Sequence, residues 1–320
     1  MSNEEIGPIS LPLEKEAGGL GFIGIDLGGT RIKAVAIDAA GNIRHQMYTP
    51  TNDGDGEAWK NAIATTVDTL KKKINSVNAI VGISAPGLPN NNNTCIAFMP
   101  GRLEGLENFV WGDYLQTPAY ILNDGIAAMV AEARVGAAKN STNAVLLTLG
   151  TGVGGALLIN GKPYQGSFNK AGHLGHSVVD CNGDCDVTNM PGSLEECIGN
   201  CTVEKRSGGK FSSTHELLIA YRNGDAFAKE VWMRSLKHLA ISLASICNII
   251  SPDTVVIGGG IAEADDDLFV PLNKMIDDYE WQPGGIKATI VKAQQGDLAG
   301  AIGAAFFAKE KYNEEKKINQ

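Results

Sequence analysis

The apolar positions change period along the chain, and that change maps its elements. Residues 22–25, 33–37 and 43–48 are short β-type runs broken by turn residues, which predicts a three-strand meander. Trp59, Ile63, Val67, Leu70 and Ile74 then recur at helical spacing, one face of an α-helix. Residues 79–83 and 120–122 read as buried strands, with the polar run 90–93 between them as a surface loop. Asn123-Asp124-Gly125 opens an alanine-rich helix over 126–134, and 144–147 and 156–159 are strands again. An irregular stretch, 161–192, leads to a helix beginning near Leu194. A long helix over 226–250 carries Phe227, Trp232, Leu236, Leu239, Leu243 and Ile246 on one face and ends at Ser251-Pro252-Asp253, where proline blocks continuation. Strands at 254–257 and 287–291 and an alanine-rich helix over 300–312 complete the chain. Two strand-meander-helix units in tandem predict two similar α/β domains facing a cleft.

Each unit starts with a glycine turn. The first is Asp26-Leu27-Gly28-Gly29-Thr30; the second is Leu149-Gly150-Thr151-Gly152-Val153-Gly154-Gly155. A strand that turns back over glycines aims several backbone N–H groups at one point, and such a concavity binds anions. Either turn alone is equally well a plain hairpin turn. Together they suggest two hairpins gripping the phosphates of one nucleotide from opposite sides. Asp26, at the end of an apolar strand, has no evident turn duty and is placed to hold Mg²⁺ through water.

Bulk properties narrow the classes. A length of 320 residues suits two domains. The net charge of −9, from 36 acids against 27 bases, advertises neither a nucleic-acid nor a membrane surface. Residues 1–20 read as a loose tail with Glu4, Glu5, Glu14 and Glu16 and no apolar core, unlike a secretory signal. No run of about 18 apolar residues occurs, so no transmembrane helix is expected. The six cysteines then read as reduced thiols, and a cytoplasmic location is expected.

An ordered set of short motifs carries a more specific signal. Beyond the two glycine turns it comprises Pro86-Gly87, Leu122-Asn123-Asp124-Gly125, Ala171-Gly172-His173-Leu174-Gly175-His176, Gly192-Ser193-Leu194-Glu195, Gly258-Gly259-Gly260-Ile261 and Gly300-Ala301-Ile302-Gly303-Ala304-Ala305. In this order they resemble the ROK family of sugar kinases and repressors, from Gly21 to Ala308. The resemblance implies two ribonuclease H-like domains of the actin-like ATPase fold around a cleft: 21–123 plus 303–320, and 124–302. It implies ATP phosphates at Gly28, Gly29, Thr30, Gly150, Thr151 and Gly152, and adenosine beside Gly258, Gly259 and Gly260. It further implies Asp124 as the catalytic base for a sugar hydroxyl, with Asn123, His173, His176 and Glu195 near the ring. Asp124 could equally serve as a helix N-cap, and the two roles are compatible; His176 could equally be a buried, hydrogen-bonded core histidine. ATP with Mg²⁺ and a hexose are the expected ligands, with polyphosphate an open alternative donor, and a homodimer is expected.

Two features depart from the family. Relatives usually carry a zinc site of one histidine and three cysteines. Counting from His176, the cysteine positions fall on Asp186, Thr188 and Ser193, while Gly192 and Glu195 stay in register. Hydroxyls and a carboxylate make a poor zinc site, so structural zinc is expected to be absent and the loop to be ordered by its own packing, among the more mobile segments. Cys181, Cys185, Cys197 and Cys201 could rebuild a displaced site, although neither pair has zinc-knuckle spacing. The second departure is His173, where many relatives have glutamate; this exchange leaves glucose and an N-acetylated hexosamine both open as substrate. The repressors of the family need a helix-turn-helix of on the order of 60 residues before the first glycine strand. Only 20 acidic-rich residues stand there, so catalysis is expected over DNA binding. A non-catalytic sugar-binding protein is the remaining alternative.

Overall fold

The computed structural model describes residues 20–51, 56–99, 101 and 103–318; the tail call on 1–20 lies, but for Leu20, outside them. The first meander forms as β1 (Phe22–Leu27), β2 (Arg31–Ile37) and β3 (Ile43–Pro50). Helix α1 (Gly56–Lys73) follows, then β4 (Ile80–Ala85), a small hairpin of β5 (Leu88–Pro89) and β6 (Ile96–Phe98), α2 (Trp111–Leu115) and β7 (Ala119–Asn123). Helix α3 (Asp124–Val135) leads into β8 (Ala144–Leu149), β9 (Val153–Ile159) and β10 (Lys162–Tyr164). Then come α4 (Leu194–Ile198), α5 (Val203–Arg206), α6 (Thr214–Arg222), α7 (Ala226–Ile250), β11 (Thr254–Gly258), α8 (Asp266–Ile276), β12 (Thr289–Lys292) and α9 (Ala299–Ile318).

The strands build two five-stranded sheets of the same design, β3-β2-β1-β4-β7 and β10-β9-β8-β11-β12. In each, the meander is antiparallel and the two later strands run parallel to its first strand. Leu27-Gly28 and Leu149-Gly150 thus occupy equivalent turns, and Thr148 stands where the first sheet has Asp26.

Strand alternation sorts the cores. Ile23, Ile25 and Leu27 face outward with Trp59 and Ile63 of α1, whereas Val145, Leu147 and Leu149 face Trp232 and Leu239 of α7. The opposite faces of both sheets, including Phe22, Ile80, Leu146 and Val256, share a middle layer with α3 and α9. The last helix therefore crosses back onto the first sheet, against β1 and β4. That contact depends on Gly24 and Gly82, neighbours across the sheet, where any side chain would collide with the Ala301 and Ala304 carbonyls.

Some expectations needed correction. The run 90–93 is not simply a surface loop: Asn93 is buried, and its side chain donates to the Ile121 carbonyl at 2.9 Å while its carbonyl accepts from Ile121 N. It pairs with the exposed edge of β7, a tertiary demand that a polar run does not announce. The last strand starts at Thr289, because residues 287–288 are held by Lys287–Asp277 and by the loop preceding it. Helices α6 and α8 were not foreseen; α8 contains Pro271, which a pattern reading treats as a stop. Among the described residues no helix is long and apolar enough to cross a membrane.

Candidate active site

The site begins with strand register. Asp26 ends β1 on the face turned to α9, opposite Lys33 of β2 and Ser84 of β4. Because paired residues share a face, all three side chains meet. Ser84 Oγ donates to Asp26 Oδ1 at 2.9 Å, and Lys33 Nζ lies 3.3 Å from Oδ2. Lys33 also pairs at 2.9 Å with Asp297, just before α9, and Asp297 receives Arg31 at 3.3 Å. Burial pushes the Asp26 carboxyl above its ordinary value, against the opposing pull of Lys33 and Ser84. Gly300 is obligatory beside it, since a methyl there would sit 2.5 Å from the carboxylate. Sequence reasoning missed Lys33, Ser84 and Asp297; register could have given the first two, but Asp297 comes from the far end of the chain.

Asp124 directly follows β7 as the first residue of α3, two residues beyond Leu122, the partner of Ser84, and close enough to Asp26 for their charges to interact. The N-cap duty weighed for it falls to Asn123, whose Oδ1 accepts from Gly125 N at 2.9 Å while Nδ2 donates to the Gly87 carbonyl at 3.1 Å. Asn123 is thus buried with both polar ends engaged. Asp124 Oδ1 shares the Gly125 N–H at 2.8 Å, and the Asn123 side chain adds a further stabilising hydrogen bond to the carboxylate. The residue is exposed at the surface, while its carboxyl is crowded by neighbouring protein atoms. That crowding raises its pKa, and the nearby Asp26 charge adds to the rise.

Glycines join this carboxylate to the second half. A methyl at Gly125 would lie 2.7 Å from the Gly155 carbonyl, one at Gly155 2.7 Å from the Gly172 carbonyl, and one at Gly175 would strike Val153. Three backbones therefore stack without side chains: the Asp124 turn, strand β9 and the segment bearing His173 and His176. His173 and His176 end up with near-parallel rings, centroids 6.4 Å apart. Burial lowers the His173 pKa, and His176 lowers it further, so that ring is neutral at neutral pH. Glu195, in the first turn of α4, accepts from Val153 N at 2.9 Å. It thereby touches the second glycine turn itself, and a side chain at Gly152 would run into it.

The remaining glycine turns divide into two groups. Gly259 (φ +85°) presses on the Leu149 backbone, which brings Gly258-Gly259-Gly260 against the second glycine turn. The Cβ direction of Gly150 opens on free space, and Thr151 is exposed with its carbonyl accepting from Cys201 N. A phosphate can approach there. At the first turn Gly28 N bonds the Arg31 carbonyl at 3.2 Å and Thr51 Oγ1 donates to the Gly28 carbonyl at 2.6 Å, which leaves Gly29 and the exposed Thr30 at the tip.

The loop counted from His176 closes on a carboxylate. Asp186, buried, accepts from Thr188 N, Thr188 Oγ1 and Met190 N through Oδ1, and its Oδ2 faces His176 Nδ1 at 3.2 Å. Burial opposes ionisation, but hydrogen bonds from Thr188, Met190 and Ser193 outweigh it and hold this carboxyl well below its ordinary value. A zinc ion does not fit this donor set: it contains no thiolate, and the carboxylate already spends its lone pairs on N–H and O–H donors. Cys197 is buried on α4, whereas Cys181, Cys185 and Cys201 are exposed. Among the described residues no three His, Cys, Asp or Glu side chains converge as a metal-holding group.

Residues 22–311 match the pattern of the ROK family over most of the chain. The chain belongs to the ROK family. A glucokinase of Halalkalibacterium halodurans is 28% identical, the match covering 93% of this chain and 98% of that one. An N-acetylmannosamine kinase of Escherichia fergusonii is 29% identical over 89% of this chain and 97% of its own. Among solved structures, a ROK hexokinase from Thermus thermophilus superposes with a TM-score of 0.83 at 27% identity, covering 93% of this chain and all of the other. This ROK protein has the actin-like ATPase fold, and the two sheets of matching order are its duplicated halves.

Proposed function

We propose that the protein is an ATP- and Mg²⁺-dependent sugar kinase that phosphorylates the C6 hydroxyl of a hexose, with glucose the first substrate to test. The observation that carries this reading is Asp124: an exposed carboxylate of raised pKa directly after a strand end, with one oxygen fixed by Gly125 N. In phosphoryl transfer the protein mainly orients the nucleophile and balances spreading charge. Asp124 Oδ2 takes the proton of the C6 hydroxyl as that oxygen bonds to the γ-phosphorus and the bond to ADP breaks. Gly150, Thr151 and Gly152 flank the phosphates from one side and Gly28, Gly29 and Thr30 from the other; the Gly150 and Gly28 N–H groups close their own turns, so the donors are the N–H groups of Thr151, Gly152, Gly29 and Thr30. Asp26 would hold magnesium through water, and the ion would neutralise phosphate charge when bound. Gly258, Gly259 and Gly260 make room for adenosine. Asn123, His173, His176 and Glu195 orient the sugar. The small α/β half (21–123 with 303–320) and the larger half (124–302) close on it, and the active species is taken as a cytoplasmic homodimer.

One observation favours a second substrate. Neutral His173, with one donor and one acceptor, stands where many relatives have an acceptor-only glutamate, and this suits an N-acetylated hexosamine. The relatives named glucokinase and N-acetylmannosamine kinase support both choices. A coupled ADP-release assay on glucose, mannose, N-acetylglucosamine and N-acetylmannosamine, with ATP or polyphosphate and Mg²⁺, decides between them. Turnover of at least one sugar is expected. No turnover on any sugar with either donor would replace the kinase reading with that of a non-catalytic sugar-binding protein.

A further inference from the structure

The loop between His176 and Glu195 is ordered in an unusual way. It is built from backbone bonds, Val179 N and Asp180 N to the Gly192 carbonyl, Gly192 N to Asp184 and Asp186 N to Met190, around one buried carboxylate. The Asp186 side chain is 1% exposed, and among the described residues its only ion-pair partner is His176. Oδ1 receives three donors at 2.7–3.0 Å, the Ser193 side chain adds another hydrogen bond to the carboxylate, and Oδ2 faces the imidazole. An ionised carboxylate only accepts, so the ring nitrogen facing it carries the proton. In the neutral ring the other nitrogen is then unprotonated.

We propose that Asp186 is a positioning residue for the sugar side: it orders the 178–193 loop without a metal and fixes His176 as the Nδ1–H tautomer, presenting Nε2 as a hydrogen-bond acceptor. The identity of the group that donates to Nε2, a sugar hydroxyl, rests on the kinase reading above. The tautomer and the loop order do not. Asp186 touches no substrate; it acts through His176, as an outer carboxylate orients a histidine in many sites.

The test uses the full-length protein, ¹⁵N-labelled and treated with a chelator. Long-range ¹H–¹⁵N correlation reads the His176 tautomer, and hydrogen exchange reads residues 178–193. The Nδ1–H form and retained protection are expected. In Asp186→Asn the three donors keep the side-chain oxygen in place, so its NH₂ turns toward His176 and forces the Nε2–H form. The KM for glucose, or for whichever panel sugar is turned over, should then rise about tenfold with a smaller change in kcat. Thr188→Val removes one donor to Oδ1 without touching His176, so it should lower loop protection and leave the tautomer unchanged. An Nε2–H tautomer in the wild type, an unchanged tautomer in Asp186→Asn, or collapse of loop protection on chelation with stoichiometric metal released would each overturn the proposal. If Asp186→Asn fails to fold, the wild-type tautomer and Thr188→Val still decide it. Neither readout needs turnover, so failure of the kinase reading is seen separately, in the sugar panel.

Discussion

Replacing Asp124 by asparagine separates catalysis from architecture at this site. The amide oxygen can keep the 2.8 Å bond from Gly125 N, and Asn123 caps α3 independently, so the turn should hold its shape. What disappears is the proton acceptor on Oδ2. A positioned general base contributes about 10²- to 10⁴-fold, or roughly 3–5 kcal/mol of barrier. The kcat should therefore fall at least about a hundredfold, with the sugar Kd, read by calorimetry, within a few-fold. Stability should move the other way. The folded carboxyl has a raised pKa, so the folded state binds protons more readily than the unfolded one. Stability from this group is greatest below the unfolded pKa, declines as pH rises toward the folded pKa, and stays reduced at pH 7. Asparagine carries no such charge, so the variant should have a Tm at pH 7 above the wild type, and the gap should close in acid. The wild-type kcat/KM should in turn drop as pH falls through the raised pKa, as the base is protonated. Turnover within tenfold of wild type would refute the assignment of Asp124 as base; a lower Tm at pH 7 would refute the raised pKa of its carboxyl.

Three further outcomes test the construction of the cleft. Gly150→Val points into free space and should raise the KM for ATP about tenfold with little effect on sugar, whereas Gly152→Val displaces Glu195 and should weaken both ligands; equal effects from both variants would remove the phosphate role of Gly150. Glu195→Gln keeps an oxygen for Val153 N, so the Tm should barely change while the sugar KM rises about tenfold, and an unchanged KM would take Glu195 out of the sugar site. Gly303→Val drives a side chain into the Ala127 carbonyl where α9 crosses α3 and should cost about 3 kcal/mol, read from the urea midpoint; a midpoint near wild type would mean the two helices do not need this approach.

How much of this was legible beforehand depended on the range of the forces involved. Strand and helix periods are set by neighbours in sequence, so the meander at 22–50, the helix over 226–250 and both glycine turns could be read directly. Asp124 was singled out through the family resemblance; the residues alone offered a helix N-cap as its alternative duty. Its freedom from capping duty was not legible, since that depends on Asn123 reaching both Gly125 and the Gly87 carbonyl. The buried Asn93 and the helix around Pro271 escaped pattern reading because their surroundings, not their own propensities, keep them where they are.

The sequence by itself determined two α/β halves, each opening on a glycine turn, and an ordered set of motifs that marked the candidate site residues. Tertiary structure decided how those residues are held. Lys33, Ser84 and Asp297 converge on Asp26 only when three strands and the start of α9 are assembled. Gly24, Gly82, Gly125, Gly155 and Gly303 take their meaning from backbones that approach from distant parts of the chain. Counting from His176 showed that thiolates are missing; only the folded loop showed a carboxylate gathering four donors in their place. The physical reason is common to all three. Local sequence fixes which face a side chain takes, but the partner that satisfies a buried charge or fills the space beside a glycine is chosen by long-range packing.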